Sequence, residues 1–386
     1  LILDKLKKFK IIRFAEYKQR LLLFEGTDID LEFEIQQAGL HVEKKVSYID
    51  DLRKFINKRI SPVKAHYYHK GTPRYFGYEI REEAVDMIPT GDTDGYIQLI
   101  FSANKNALND VKKKSADTEH AVIYAFFNNT DNIVNHLYTI EKYDYILQRV
   151  LIDKNADRVA YNEILKLKEH EESLLNKEIT DNLFEYKNSV SWFFMGKKQN
   201  VSSHREFNKL LSAVCDKVYY AAPVMNNELF NRHKLSGAIS TARKNYLAAL
   251  VEHWNEEDLG FEKTKFPPEK TIYYSLLKNT GLHNGNSFAD APTNNDIESL
   301  WNESINFLQS TVGRQRRISE LIKKLSNQPF KMKQGFIDFW VPTFLFIKRQ
   351  DFALYDATSG AYIPNVDMLF FDLLQKHPAD YAIKAF

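Results

Sequence analysis

Histidine, cysteine and acidic side chains are the residues of this chain best able to do chemistry. His66 and His69 are spaced like a metal-binding pair, but the aromatic-rich pattern around them predicts a strand, on which the two side chains point to opposite faces. Cys215 lies among apolar residues such as Leu211 and Val214, which predicts a core thiol rather than a nucleophile. None of these three residues therefore predicts a site.

Acidic residues near the start of the chain have a structural explanation as well as a chemical one. Oxygen ligands for a metal are available at Glu25, Asp28, Asp30, Glu32 and Glu34. Helix capping and a solvated acidic face account for the same residues, so we favour that interpretation.

Three further strings come close to known motifs. Asp92-Thr93-Asp94-Gly95 has the opening of a calcium loop without its later ligands, and predicts a turn before a strand. Arg59 and His66 are spaced like the Arg/His pair of certain ribonuclease helices, but Pro62 argues against a helix there. Gly196-Lys197-Lys198 lacks the earlier glycine and the hydroxyl residue of a P-loop, so no nucleotide-binding or catalytic residue is predicted.

The segment from Arg314 to Lys333 is the most basic part of the chain, with Glu320 as its single acid. Its cations are Arg314, Arg316, Arg317, Lys323, Lys324, Lys331 and Lys333. Such a density of positive charge is typical of a surface that contacts phosphates. We therefore predict these seven residues as nucleic-acid-binding residues, with duplex DNA as the partner.

Composition sets the wider limits. The 386 residues, 44% of them hydrophobic, are enough for more than one core, and a net charge of +2 makes any basic surface a local one. A single cysteine predicts a reducing compartment and hence a cytoplasmic protein. The most apolar run, Phe336 to Ile347, is interrupted by Asp338 and Pro342 and is too short to cross a bilayer, so no membrane partner is expected.

The elements that would position these residues form an α+β fold that is predominantly helical. Residues 1–55 are predicted as a helical segment, with a capping box at Thr27 and Asp30 and a helix end at Gly39. Residues 56–137 are predicted as a small α/β domain. Within it, a hairpin pairs Val63–His69 with Arg74–Ile80, and strands at 95–101 and 121–127 enclose a helix at 107–114.

The second half of the chain reads mainly as helices. Residues 138–188 are predicted as one long helix or a helical hairpin, and 189–300 as a mixed, mainly helical domain in which Ser236 caps a helix. Residues 301–386 are predicted as a winged-helix-like domain. Its helices at 318–325 and 334–349 are followed by a hairpin around residues 357–360 and by another helix at 367–375.

Several strings resemble the large P-loop ATPases of bacterial anti-phage defence, most nearly the BREX-type P-loop proteins and their relatives. These strings are Phe24–Asp30, Pro62–Ala65, Gly71–Phe76, Asn227–Leu229, Asn231-Arg232, Leu235-Ser236, Phe266–Glu269, Ile272-Tyr273, Gly335–Ile347, Ala353–Tyr355 and Tyr362–Pro364. They extend over nearly the whole chain, but none is a catalytic signature.

The resemblance implies a region downstream of an ATPase core whose Walker motifs lie outside this chain. It implies no cofactor within the chain, with ATP and Mg in the parent protein, and other subunits of a defence complex as partners. We therefore expect a non-catalytic region that couples the motor to DNA or to partner subunits. Two alternatives stay open, namely a protein-interaction or self-assembly scaffold without nucleic-acid binding, and a nuclease or other hydrolase with an unrecognised site.

Overall fold

The computed structural model describes residues 2–9, 11–15, 20–23, 29–45, 48–56, 60–102, 104, 106–151 and 157–386. These residues form the predicted α+β fold, in which helices predominate. The strands are β1 (Ile12–Ala15), β2 (Arg20–Leu23), β3 (Ile60–Pro62), β4 (Tyr75–Arg81), β5 (Gly95–Ile100), β6 (Val122–Phe127), β7 (Val190–Phe194), β8 (Lys197–Gln199), β9 (Arg316–Arg317), β10 (Phe352–Asp356), β11 (Tyr362–Ile363) and β12 (Tyr381–Ala385). No helix in this part of the chain combines the length and apolar character needed to cross a membrane.

The α-helices of the same residues vary from one or two turns to more than seven. They are α1 (Ile2–Lys8), α2 (Leu31–His41), α3 (Ile49–Ile56), α4 (Lys64–Lys70), α5 (Ala107–Asp117), α6 (Asp131–Tyr145), α7 (Arg158–Phe184), α8 (His204–Val218), α9 (Gly237–Glu252), α10 (Pro268–Tyr273), α11 (Glu298–Gln309), α12 (Ile318–Ser326), α13 (Gln334–Ile347) and α14 (Met368–Lys376).

The chain divides into two compact units, each built from separate stretches of sequence. Unit 1 comprises Leu1–Arg59, Gly77–Met87 and Tyr96–Phe207. Unit 2 comprises Ile60–Phe76, Ile88–Gly95 and Asn208–Phe386. The five predicted segments stay a finer prediction, and residues of the predicted 56–137 segment occur in both units.

A mixed sheet forms the centre of unit 1, with its strands in the order β4-β5-β6-β7-β8. β5 and β6 are parallel and α5 lies between them in sequence, which confirms the predicted strand-helix-strand unit. Every residue of β6 is buried, as expected for an inner strand covered on both faces. α5 packs Val111 against this sheet, in a cluster with Val122 and Phe193.

The helices of unit 1 settle the choice between one long helix and a helical hairpin. α6 and α7 are separate helices, and a π-helical turn at Ile146–Val150 follows α6 directly. His136 on α6 contacts Glu171 on α7 with 2.7 Å between Nδ1 and Oε1, and Lys168 on α7 donates to Asp144 at 2.5 Å. The two helices are therefore paired, and the hairpin is the correct alternative.

The start of unit 1 differs from the predicted helical segment 1–55. β1 and β2 form an antiparallel hairpin within it, so the prediction of a purely helical segment is wrong. Asp30 does cap α2, because its side chain accepts a hydrogen bond from the Phe33 amide, but the helix continues through Gly39 to His41. Thr27, Glu25, Asp28 and Arg59 lie outside the described residues.

The hairpin predicted between Val63–His69 and Arg74–Ile80 is also wrong. Residues 64–70 form α4, while β4 confirms only the second strand. Gly71, at a φ of 70°, closes α4 in the left-handed conformation that glycine adopts without a steric penalty. Helical and strand patterns are hard to distinguish over seven residues, and Pro62 precedes the helix rather than interrupting it.

Unit 2 is organised around α13, which is buried on almost every side. Phe336, Phe339, Trp340 and Phe344 on this helix are all at most 1% exposed. The Trp340 indole Nε1 donates a hydrogen bond of 3.0 Å to Ser304 Oγ on α11. This aromatic helix therefore supplies much of the core of the C-terminal region.

Pro342 lies inside α13 and leaves a backbone acceptor without its usual helical partner. Proline has no N–H, so the carbonyl of Asp338, four residues earlier, cannot make the regular hydrogen bond. Arg243 on α9 takes that place, with Nε donating to the Asp338 carbonyl at 2.9 Å. Arg243 is 2% exposed, and its Nη1 donates to Gln375 Oε1 at 3.0 Å, so its charge is buried with hydrogen-bond partners.

The C-terminal hairpin is present, but in a larger sheet than a wing requires. β10 pairs antiparallel with β11 as predicted, and on its other side with β12, which in turn pairs with β9. β10 is therefore an inner strand of a four-stranded sheet in the order β11-β10-β12-β9. The coarse α+β assignment of this region is established, and its winged-helix likeness stays a prediction.

Candidate functional site

The predicted basic segment is divided between the surface and the interior of unit 2. Four of the cations are exposed, namely Arg314, Arg317, Lys323 and Lys324. Arg316 and Lys331 are half-buried, and Lys333 is 4% exposed. The seven predicted cations therefore do not form one continuous surface.

Several of the cations on the outer side already have anionic partners. Arg316 donates to Glu320 Oε2 through Nε at 3.0 Å and Nη2 at 2.7 Å. Lys324 forms an ion pair with Glu303. Three exposed cations form no ion pair within the part of the chain that the structure describes, and we call them the exposed cation group: Arg314, Arg317 and Lys323.

The remaining two predicted residues point their charges inward. Lys331 Nζ donates to the Pro89 carbonyl at 3.0 Å. Lys333 Nζ donates to both carboxylate oxygens of Asp94, at 3.1 and 2.8 Å. Lys333 therefore lies away from the exposed cations, and its predicted role in nucleic-acid binding stays a prediction.

Asp94 is the centre of a buried ion cluster, which we define as Arg74, Asp94 and Lys333. Its carboxylate is fully buried and accepts hydrogen bonds from Arg74 Nη1 at 2.8 Å and from the Tyr75 amide at 2.9 Å, in addition to Lys333. The predicted turn before β5 is confirmed, with the Thr93 amide bonded to the Thr90 carbonyl. The buried role of Asp94 was not predicted.

Arg74 connects this cluster to two other segments of unit 2. Its Nη1 and Nη2 donate to the carbonyls of Lys331 and Phe330, each at 3.0 Å. Its guanidinium lies 4.2 Å from the centre of the Tyr219 ring, directly after α8. The planar guanidinium thus fixes the loop at 330–331, which a lysine could not do with the same geometry.

His66 continues the hydrogen-bond network on the far side of Arg74. Its Nε2 accepts from Arg74 Nε at 3.3 Å, so the imidazole hydrogen is assigned to Nδ1, which donates to Asp216 at 3.0 Å. His66 is 2% exposed, whereas His69 on the same helix is exposed and packs edge-on to Tyr68. The expectation that the two histidines do not converge is confirmed, although the element is a helix and not a strand.

Burial dominates the ionisation of these groups. It lowers the pKa of His66 to about 4, with the Arg74 charge acting in the same direction. It also lowers the pKa of Lys333. The negative charge of Asp94 opposes this change, and the positive charge of Arg74 adds to it. Burial raises the pKa of the Cys215 thiol to about 12, which agrees with its predicted place in the core.

Two cavities of unit 2 are lined by residues of the buried ion cluster. One, of about 390 Å³, is lined by Arg74 together with Tyr67, Tyr75, Asn231 and Arg232. The other, of about 240 Å³, is lined by Asp94, Lys331 and Lys333 and by the loop Ile88–Gly91. We call this second one the lysine cavity. Two lysines and one carboxylate are therefore among its lining residues.

Comparison with known proteins adds no assignment to these observations. No protein-family model matches the chain, and neither a curated protein nor a solved structure is similar to it. Among the described residues, no group of three or more His, Cys, Asp or Glu side chains is arranged to hold a metal ion.

Sequence reasoning found the cations of the C-terminal region but missed the residues that organise the interior. More than 230 residues separate Lys331 and Lys333 from their interior partners His66, Arg74 and Asp94. Arg74 and Lys331, for example, are 257 residues apart. One sequence signal could have indicated the buried ion cluster: Asp94 is a charged residue directly before the buried strand β5.

Proposed function

We propose that this chain is a non-catalytic region that binds duplex DNA through the exposed cation group. The observation behind the proposal is that Arg314, Arg317 and Lys323 are exposed and form no ion pair in the described part of the chain. All three lie on β9, on α12 or just before them. An ordered set of unpaired cations on one short stretch is the arrangement that phosphate contacts require.

The structure of α12 supports a surface role for this group. Ile318, Leu321 and Leu325 on the helix are fully buried, so its opposite face is left to polar residues. Loss of the exposed cations should therefore leave the packing of the helix intact. Binding and folding can then be tested separately.

The resemblance to defence-type P-loop ATPases supports a wider role as a coupling region. On that reading, the parent protein hydrolyses ATP with Mg, and this cytoplasmic region transmits the motor's action to DNA or to other subunits of the complex. A winged-helix-like C-terminal domain belongs to the same proposal, with β10 and β11 as its hairpin. We expect no ATP hydrolysis by the purified chain, and turnover free of contaminants would contradict the proposal.

The decisive experiment is the salt dependence of duplex binding, measured by fluorescence anisotropy. The triple variant Arg314→Gln, Arg317→Gln, Lys323→Gln should bind more weakly to all sequences alike. Because each lost phosphate contact reduces the slope of log affinity against log salt by about 0.9, the slope should fall by up to about 2.7.

A second triple variant removes the same charge elsewhere and serves as the control. Lys217, Lys234 and Lys244 are exposed residues of unit 2, and their change to Gln should leave the slope unchanged. If the two triple variants and the wild type bind DNA with the same slope, the exposed cation group is a solvated face and the proposal fails.

One observation favours the scaffold alternative. Leu369 and Leu373 on α14 are four residues apart, so they share a helix face, and they are 70% and 38% exposed. An apolar face of this kind fits a protein partner or self-association better than DNA. Light scattering that shows a salt-insensitive oligomer, abolished by Leu369→Glu with Leu373→Glu, would favour the scaffold function.

A further inference from the structure

We propose that the lysine cavity of unit 2 binds a phosphate-class oxyanion through Lys331 and Lys333. This site is distinct from the exposed cation group, and the proposal does not depend on DNA binding. It rests on the charge of the residues that line the cavity, on their unused hydrogen-bond donors and on the size of the space.

The interior beside the cavity holds more positive than negative charge. Arg74 and Lys333 are buried, Lys331 lies half-buried beside them, and the buried carboxylate among these cations is that of Asp94. One carboxylate neutralises one of the three cations. An excess of buried positive charge is costly unless an anion compensates it.

The other titratable groups that face this cluster do not remove the excess. The Asp92 side chain is 74% exposed and pairs with His233 at 3.2 Å. The Asp216 side chain is 58% exposed and pairs with His66, which is neutral near pH 7 because its pKa is about 4. Both carboxylates are therefore largely screened by solvent.

Burial is the main cause of the lowered pKa of both lysines. At Lys331 the charge of Asp94 opposes burial, while the charges of Lys333 and Arg74 act with it. At Lys333 the charge of Asp94 opposes burial and that of Arg74 acts with it. An anion in the cavity would oppose both effects, since an opposite charge at close range favours the protonated form of an amine.

Hydrogen-bond donors remain free for such an anion. An ammonium group carries three donors. Lys331 Nζ makes one hydrogen bond, to the Pro89 carbonyl, and both bonds of Lys333 Nζ go to Asp94. Within the described residues, these two side chains thus leave three donors unused. Gln334 also lines the cavity at the first position of the 14-residue helix α13, where the positive end of the helix dipole favours an anion.

The size of the cavity selects the kind of anion. At about 240 Å³ the space is smaller than the range of roughly 300–1,000 Å³ typical of pockets for drug-sized ligands. A single tetrahedral oxyanion fits the available donors and volume better than a whole nucleotide. The ligand class is therefore inorganic phosphate or one phosphoryl group of a larger molecule.

The test uses inorganic phosphate and the full chain, with binding measured by isothermal titration calorimetry in a buffer free of other oxyanions. Lys331→Gln should weaken phosphate binding by tenfold or more, because it removes a cation without breaking the Arg74–Asp94–Lys333 contacts. Lys244→Gln, at an exposed position on α9 outside the exposed cation group, should bind phosphate like the wild type. Circular dichroism checks that both variants remain folded.

A competition arm separates the two sources of the phosphoryl group. If the ligand is a phosphate of nucleic acid, Lys331→Gln also weakens duplex binding, and inorganic phosphate competes with DNA. If it is a free oxyanion, the duplex affinity of Lys331→Gln equals that of the wild type. Either result supports the site. Absence of phosphate binding by the wild type, or equal binding by folded Lys331→Gln, overturns the proposal whatever the outcome with DNA.

Discussion

Arg74 donates a hydrogen bond of 2.8 Å to the Asp94 carboxylate, and both side chains are shielded from solvent in unit 2. The pair holds the turn before β5 against the loop at 330–333, because Arg74 also bonds the carbonyls of Phe330 and Lys331. The pair thus stabilises the fold by connecting segments that are distant in sequence. A buried pair of this kind costs much more when one partner is removed than it contributes by its attraction alone.

Asp94→Asn should therefore destabilise the protein strongly. The change leaves Arg74 and Lys333 buried without their counter-ion, at an expected cost of about 3–5 kcal/mol in the free energy of unfolding. Asp92→Asn, two residues earlier, breaks only an exposed pair with His233 and should cost less than about 1 kcal/mol. Urea unfolding of the two variants checks the difference. Equal midpoints would show that the buried ion cluster has no special role in stability.

Stability should fall as the pH falls from about 6.5 to about 4, in part because of His66. The pKa of this side chain is about 4 in the folded protein and about 6.5 in an unfolded chain, so in this window the unfolded state binds more protons. Protonation therefore favours unfolding as the pH falls, by on the order of 3 kcal/mol in total.

His66→Gln removes this titration while keeping an acceptor for Arg74. Its free energy of unfolding, measured from pH 7 to pH 4, should have a shallower pH dependence than that of the wild type. Identical slopes would mean that His66 is protonated with an ordinary pKa in the folded state.

Trp340→Ala tests the core of unit 2. The ring is fully buried, so its removal leaves a cavity and should cost about 3–5 kcal/mol. Ser304→Ala removes only the acceptor of the indole N–H and should cost about 1–3 kcal/mol, because a buried donor is left unsatisfied. Calorimetric melting of the full chain measures both. An unchanged transition in Trp340→Ala would contradict the central place of α13.

Gly335 is expected to tolerate no side chain. A Cβ at this position would lie 2.5 Å from the Phe230 carbonyl oxygen and 2.6 Å from that of Arg232, and backbone cannot move aside cheaply. Gly335→Ala should therefore destabilise the protein by about 1–3 kcal/mol. Gly237 in α9 has nothing within 4 Å of such a Cβ, so Gly237→Ala should be neutral or slightly stabilising. Thermal melts that rank the two variants in the opposite order would refute this account.

Local patterns in the sequence predicted the elements whose signal is local. The cap at Ser236, the helix through Trp340 and the parallel strands around α5 all follow from periodicity, capping and turn residues. The short α4 was missed because seven residues rich in Tyr and His do not separate helix from strand. The turn at Asp94 was predicted correctly, because its signal is local: a Gly follows it at the start of β5.

The interior of unit 2 depends on contacts that no local pattern contains. Lys331 and Lys333 belong to a stretch that reads as one basic surface, and only tertiary packing turns these two side chains toward Pro89 and Asp94. Arg74 gives no sign in sequence that its partners are 20 and 257 residues away. A high density of cationic residues in the sequence can therefore indicate a candidate region. It cannot distinguish the cations that face solvent from those that face an interior carboxylate.

Unit 2 is built from separate stretches of sequence, so its parts are synthesised at different times. Arg74 leaves the ribosome well before the loop carbonyls that it binds, because residues 330 and 331 are made 256 and 257 positions after it. At translation rates of about 5–20 residues per second, this delay is roughly 10–50 seconds. During that interval the Arg74–Asp94 pair in the nascent chain lacks the loop that later encloses it.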